Sequence, residues 1–195
     1  MIILSILTAT FGILLENIAV IIGSMLIAPM LYPILSLALG IDLSDPKLIS
    51  RSLWTILKSF AYGVAVSTIA AFTFGNQFDE ITSNVFVSSQ PNLTHAAIAV
   101  IAGIAGSFAL VKPQLNETLP GIAISVTLIP PIAITGIGVA KFSPLMISNG
   151  LLLFMVNFIG ITLAGTIVFS LMNFYVKRDE ANEVVNRVDN KGKEE

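Results

Sequence analysis

Two apolar stretches of this chain place a serine five residues before a proline: Ser24 and Pro29 in the first, Ser125 and Pro130 in the second. A further proline follows each, Pro33 and Pro131, and Thr127 lies between Ser125 and Pro130. A proline inside a helix deletes one backbone N–H and crowds the carbonyl one turn back. Where water is absent, the freed carbonyls need other partners. Ser24, Ser125 and Thr127 carry hydroxyls suited to that task. If the helices are discontinuous, each second half also begins with unpaired N–H groups and partial positive charge. Such ends favour an anion or the acceptor side of a polar solute. The plainer reading is that the prolines only kink two packed helices. Asn157 is a full amide deep in a third apolar stretch. It too is placed to line a polar path, although bonding between helices is the ordinary role of such a residue.

The elements that must position these residues follow from composition. Of 195 residues, 55% are apolar and only 11% charged. Soluble domains carry about a quarter charged residues. Five of the ten Lys/Arg and six of the twelve Asp/Glu crowd into residues 177–195. The remainder cannot clothe a solvated surface, so a polytopic membrane protein is expected. A net charge of −2 gives no basic excess for nucleic acid. The absence of cysteine removes disulfides and thiolate chemistry. His95 is the single histidine, so no metal site and no cofactor is expected. No HExxH, GxSxG or P-loop occurs, and no pair of carboxylates lies deep in an apolar segment, so the chain does not read as an enzyme.

A membrane-crossing helix needs about 20 apolar residues. Six segments qualify or come close: Ile2–Leu15, Ile18–Gly40, Leu53–Phe74, Leu93–Val111, Gly121–Ala140 and Pro144–Val176. Polar loops are expected at Asp42–Ser52, Gly75–Asn92 and Lys112–Pro120. With six spans, Lys47, Arg51, Lys112 and the five basic residues beyond 176 share one side, against Lys141 alone on the other. Basic loops stay cytoplasmic, so both termini are expected in the cytoplasm, with the protein in the cell's inner membrane.

A shift of 101 residues lays Ile21 on Ile122, Ser24 on Ser125 and Pro29 on Pro130. It also lays Glu16 on Glu117, each just before its span. Each Ser–Pro helix is the middle member of three spans. Three is odd, so the second copy must enter the membrane inverted, a common construction of secondary transporters. The predicted fold is an all-α membrane protein with two inverted three-helix repeats and Pro-broken second and fifth helices. A six-helix domain is predicted over 1–176, with repeats at about 1–75 and 93–176, and a charged cytoplasmic tail over 177–195. Small residues on the fourth span (Gly103, Gly106) and sixth span (Gly160, Ala164) suit close packing of the repeats or a homo-oligomer, a dimer foremost.

Several separated stretches carry a family resemblance. They are ENIAVIIGSMLIAPMLYPILSLALGI (Glu16–Ile41), SQPNLTHAAIAVIAGIAGSFAL (Ser89–Leu110), LPGIAISVTLIPPIAITGIGVA (Leu119–Ala140) and NGLLLFMVNFIGITLAG (Asn149–Gly165). In this order they resemble the domain of unknown function 389 family of prokaryotic membrane proteins. The resemblance implies an integral membrane protein and supplies no catalytic residues. Many members look longer, so this chain resembles a minimal or trimmed one. The family more often has Asn-Ser where Glu16-Asn17 stands here.

The expected function is a transporter or permease for a small polar or anionic solute. Ser24, Pro29, Ser125, Thr127, Pro130, Pro131 and Asn157 would form the site, with Glu16 and Glu117 flanking it. The alternatives are a passive channel through the same crossing and a non-transporting scaffold or sensor. The expected partners are the lipid bilayer, the solute and a second copy of the chain.

Overall fold

The computed structural model describes residues 1–27, 30–75, 92–111 and 118–191; the side chains of 27, 31, 111, 118–126 and 173–191 lie outside that description. Those residues form seven helices and no strand. They are α1 (Ile2–Leu14), α2 (Ile18–Ile27), α3 (Leu31–Asp42), α4 (Pro46–Phe74), α5 (Leu93–Val111), α6 (Thr118–Ala140) and α7 (Pro144–Lys191). Three are long and apolar enough to cross a membrane: α4, α5 and the Pro144–Met172 part of α7. Large apolar side chains such as Ile69, Phe72, Leu163 and Ile167 point outward. The fold is that of an all-helical, membrane-associated protein.

The second predicted span is two helices, α2 and α3, as the Pro29 break implies. The fifth is not broken. Helix α6 runs through Pro130 and Pro131 without interruption. Pro33 is the third residue of α3, inside the first turn, where no N–H is required. The predicted loop Asp42–Ser52 shrinks to a three-residue corner, because Asp45 caps α4 and Pro46 starts it. Residues 177–191 continue α7.

Three corners share one construction. After α1, the Asn17 N–H donates to the Gly12 carbonyl at 2.9 Å and the Glu16 N–H to Ile13 at 3.1 Å. After α3, Asp45 donates to Gly40 at 2.9 Å and Ser44 to Ile41 at 3.1 Å. After α6, Ser143 donates to Gly138 at 2.9 Å and Phe142 to Val139 at 3.2 Å. This is the Schellman termination, with its left-handed residue. Glu16, Ser44 and Phe142 occupy that conformation at φ of 50°, 52° and 50°. The next residue then caps the following helix. Asn17 Oδ1 accepts from Ala19 and Val20, Asp45 Oδ1 from Lys47 and Leu48, and Ser143 Oγ from Met146. The glycine lets the two helices touch. A β-carbon would sit 2.9 Å from the Ile21 nitrogen at Gly12, 3.2 Å from that of Ile49 at Gly40, and 2.9 Å from that of Ile147 at Gly138. The local rule is Gly, a cap five residues on, and Ile four residues after the cap.

Helix α6 forms the core. Leu128, Ile129, Ile132 and Ala133 are fully buried, and α1, α2, α3, α4, α5 and α7 all contact it. Paired contacts fix the helix directions. Ile6 meets Gly63 and Thr10 meets Ser67, so α1 and α4 run parallel. Gly63 meets Ile132 and Ser67 meets Gly136, so α4 and α6 run parallel. Ala99 meets Gly160 and Ser107 meets Gly165, so α5 and α7 run parallel. The corners make the α1–α2, α3–α4 and α6–α7 pairs antiparallel.

The corner glycines carry a testable consequence. Gly12→Ala and Gly138→Ala push a β-carbon into backbone and should each cost about 1–3 kcal/mol. Gly23, with nothing within 4 Å of its β-position, is the control. Gly23→Ala should be neutral or stabilise by up to about 1 kcal/mol through helix propensity. Thermal unfolding in detergent micelles reads both; equal effects at the three positions would refute the corner assignment.

Candidate functional site

In both Ser–Pro stretches a side chain from another helix donates to a backbone carbonyl. Near the end of α2, the Ser24 carbonyl accepts from Ser5 Oγ on α1 at 2.6 Å. Ser24 Oγ donates to the Ile21 carbonyl, also at 2.6 Å, and Ser24 is fully buried.

In α6 the carbonyls lacking an N–H follow from arithmetic: Pro130 leaves that of Val126, and Pro131 that of Thr127. Asn157 Nδ2 on α7 donates to the Thr127 carbonyl at 2.6 Å. The amide therefore replaces the hydrogen bond that Pro131 cannot make. Bonds of this kind inside membranes average about 0.6 kcal/mol net, but an unpaired buried carbonyl costs about 1–3 kcal/mol. Asn157 is 2% exposed, and its Oδ1 has no partner among the described residues.

A second polar chain ties α1, α4 and α6. Thr10 Oγ1 lies 2.9 Å from Ser67 Oγ, which donates to the Ala133 carbonyl at 2.8 Å. Two further bonds correspond to each other. Thr68 Oγ1 on α4 donates to the Gly136 carbonyl on α6 at 3.1 Å, and Thr166 Oγ1 on α7 donates to the Ala38 carbonyl on α3 at 3.3 Å. Thr127 and Ser59 lie nine residues before the first pair, Asn157 nine residues before Thr166. Nine residues rise about 14 Å. Helices α6 and α7 run in opposite directions, so the Thr127–Asn157 bond sits midway along roughly 27 Å of helix, close to the ~30 Å of a hydrocarbon core.

Of the predicted site residues, the structure brings together Thr127, Pro131 and Asn157. Pro130 is half-buried beside them. Ser24 is buried on α2, a helix that also packs on α6. Pro29, Glu117 and the side chain of Ser125 lie outside the described residues. Glu16 is exposed at the left-handed position of the first corner. Gly103 packs on Ile161 and Gly160 on Ala99, so these small residues serve the α5–α7 contact within the chain. Ser5, Ser67 and Thr10 were not singled out in the sequence. Nothing marks them there, because a hydroxyl in an apolar helix gains meaning only from the carbonyl opposite it.

A buried polar layer crossing an all-helical, membrane-associated bundle defines the class. Within it, the family described as domain of unknown function 389 matches residues 25–163, and the chain belongs to that family. An uncharacterised protein of Methanocaldococcus jannaschii is 31% identical over 189 residues, covering 94% of this chain. The chain spans 58% of that relative's length. No solved structure matches the chain.

If Asn157 stands in for the missing Pro131 N–H, the two residues are thermodynamically coupled. Asn157→Ala should cost about 1–3 kcal/mol alone. In a Pro131→Ala background, where the helix regains its own donor, that cost should fall by about 1 kcal/mol or more. Additive losses in thermal unfolding of the four proteins would show that Asn157 acts elsewhere.

Proposed function

We propose that this protein is a six-span membrane transporter or permease for a small polar solute, with its path at the crossing of the two proline-bearing segments. Three observations support the inverted repeat. From residue 31 onward a shift of 98 residues aligns the halves. It gives ten identities over 31–74 against 129–172, among them Pro33/Pro131, Gly40/Gly138, Pro46/Pro144, Ile49/Ile147 and Thr68/Thr166. The same shift turns the Thr68–Gly136 bond into the Thr166–Ala38 bond. It also turns the close contact of Ser67 with Gly136 into that of Gly165 with Ala38. Helix directions agree, since α1∥α4 corresponds to α5∥α7 and each set runs opposite to the other.

The observation that carries the transport reading is a proline-bearing segment at mid-depth in each half: the first is split into α2 and α3, and the second is continuous but short of two helical N–H groups. In each, a backbone carbonyl accepts from a side chain on another helix, and side-chain bonds exchange more readily than a helical ladder. Discontinuous helices at a repeat crossing house the substrate in many secondary transporters. On this reading the termini and the α3–α4 corner face the cytoplasm of a prokaryotic cell, because Lys47, Arg51 and the basic residues beyond 176 lie there. On the same reading the corners that hold Glu16 and Phe142 face the opposite side.

The chain has no cysteine, so single substitutions report access directly. Ser24→Cys and Asn157→Cys should react with an impermeant thiol reagent from one side of the membrane at a time. Phe142→Cys, 84% exposed at a corner, should react from the outside throughout. Reaction of the buried pair from both sides at once would indicate a channel. No reaction at either, with Phe142→Cys labelled, would remove the path altogether.

A further inference from the structure

The orientation of the Asn157 amide is fixed by chemistry. Its partner, the Thr127 carbonyl, only accepts, so the NH2 group must face it and Oδ1 must face away. That leaves a buried amide oxygen at mid-membrane with no partner among the described residues. On α6 the Val126 carbonyl, one residue before that of Thr127, has lost its helical donor to Pro130. Both groups are acceptors. Neither can bond the other, and an anion would be repelled by both.

We propose that Asn157 Oδ1 and the Val126 carbonyl form a binding position for a monovalent cation, either an inorganic ion or the ammonium head of an amine solute. Neutral oxygens suit a single positive charge, whereas divalent ions draw on carboxylates. Among the described residues no cluster of His, Asp or Glu offers such ligands. Backbone carbonyls released from the helical ladder ligate cations in secondary transporters. One cationic side chain lies at a similar depth on α4, Lys58. It is exposed, with Nζ 5.2 Å from the Trp54 ring one turn back, so it points outward and away from the bundle. The position changes the chemistry expected of the crossing. The helix N-termini expected from the sequence favour anions, while Asn157 Oδ1 and the Val126 carbonyl, on the side built by α6 and α7, are acceptors.

The proposal rests on the crossing being a polar path, and its test reads binding without flux. The purified full chain in detergent is unfolded thermally in sodium, potassium, ammonium or methylammonium chloride. Tetraethylammonium chloride at equal ionic strength is the reference. At least one small cation should raise the midpoint saturably, and Asn157→Leu should abolish that rise. Response to sodium or potassium assigns an inorganic ion; response to ammonium and methylammonium alone assigns an amine head. Asn157→Asp combined with Pro131→Ala keeps the Thr127 carbonyl paired and adds charge. It should lower the half-saturating concentration on the order of tenfold, a gain that no purely structural role predicts. A wild-type midpoint indifferent to all four cations, or a rise that survives Asn157→Leu, overturns the proposal. Binding without liposomal flux would leave it standing and count against transport; flux without binding would do the reverse.

Discussion

Every backbone carbonyl that loses its helical N–H in hydrocarbon must find another donor, and the architecture of this chain is arranged around that demand. Water cannot meet it within the bilayer core. Where Pro131 removes the helical donor of the Thr127 carbonyl, a side chain of another helix supplies one, and a second interhelical bond of this kind joins α1 to the end of α2. Ser5 reaches the end of α2 and Asn157 reaches the prolines of α6. Those bonds fix which helices must be neighbours. Helix α1 stands beside the α2 terminus, and α7 folds back antiparallel on α6. The corner glycines permit that proximity by removing the β-carbons that would hold the hairpins apart.

Much of the fold was legible. Composition gave the membrane class, and apolar runs located the helices closely. The break in the second span was readable from Pro29. The corners were written in the sequence too, as Gly12–Asn17–Ile21, Gly40–Asp45–Ile49 and Gly138–Ser143–Ile147. They went unread because the polar residues around Asp45 look like a loop by hydropathy. Only the joint requirement of a Schellman end and an N-cap reveals a three-residue turn. The site was less legible. Pro130 and Pro131 promise a broken helix, yet α6 persists, because a tertiary donor replaces the one lost and α6 is enclosed on all sides. Sequence marks which N–H is missing; it does not mark which distant side chain supplies the substitute.

Glu16 shows the same limit from the other direction. A shift of 101 residues pairs it with Glu117 and suggests two acidic guards. Its backbone gives a simpler reason for its position. It is the left-handed residue of a corner, at φ 50°, equivalent in construction to Ser44 and Phe142. Three chemically unrelated side chains fill that place, so the corner asks for a backbone conformation and not for a carboxylate. The strain, about 1–2 kcal/mol for a residue other than glycine, is offset by the paired N–H bonds of the turn and the cap that follows.

The two shifts, 101 before the interruption and 98 after it, are themselves informative. Pro29 aligns with Pro130 at 101, and Pro33 with Pro131 at 98. Between the prolines the first copy therefore holds three residues that the second lacks. Three residues are nearly one helical turn; of these, Met30 precedes α3 while Leu31 and Tyr32 open it. Where they are missing, the prolines stand adjacent and the helix carries on, short of two N–H groups. The copies thus reach the same condition by different routes, one by adding chain and one by deleting donors. Their polar character diverges accordingly. The first ends one helix and starts another, presenting both carbonyls and N–H groups. The second presents carbonyls alone, and Asn157 joins it where the equivalent residue of the first copy is Ser59, whose hydroxyl is returned to its own helix at the Thr55 carbonyl. On the proposed reading of the two halves as an inverted pair, unlike faces at its centre suit a solute, or a solute and an ion, with one end that donates and one that accepts.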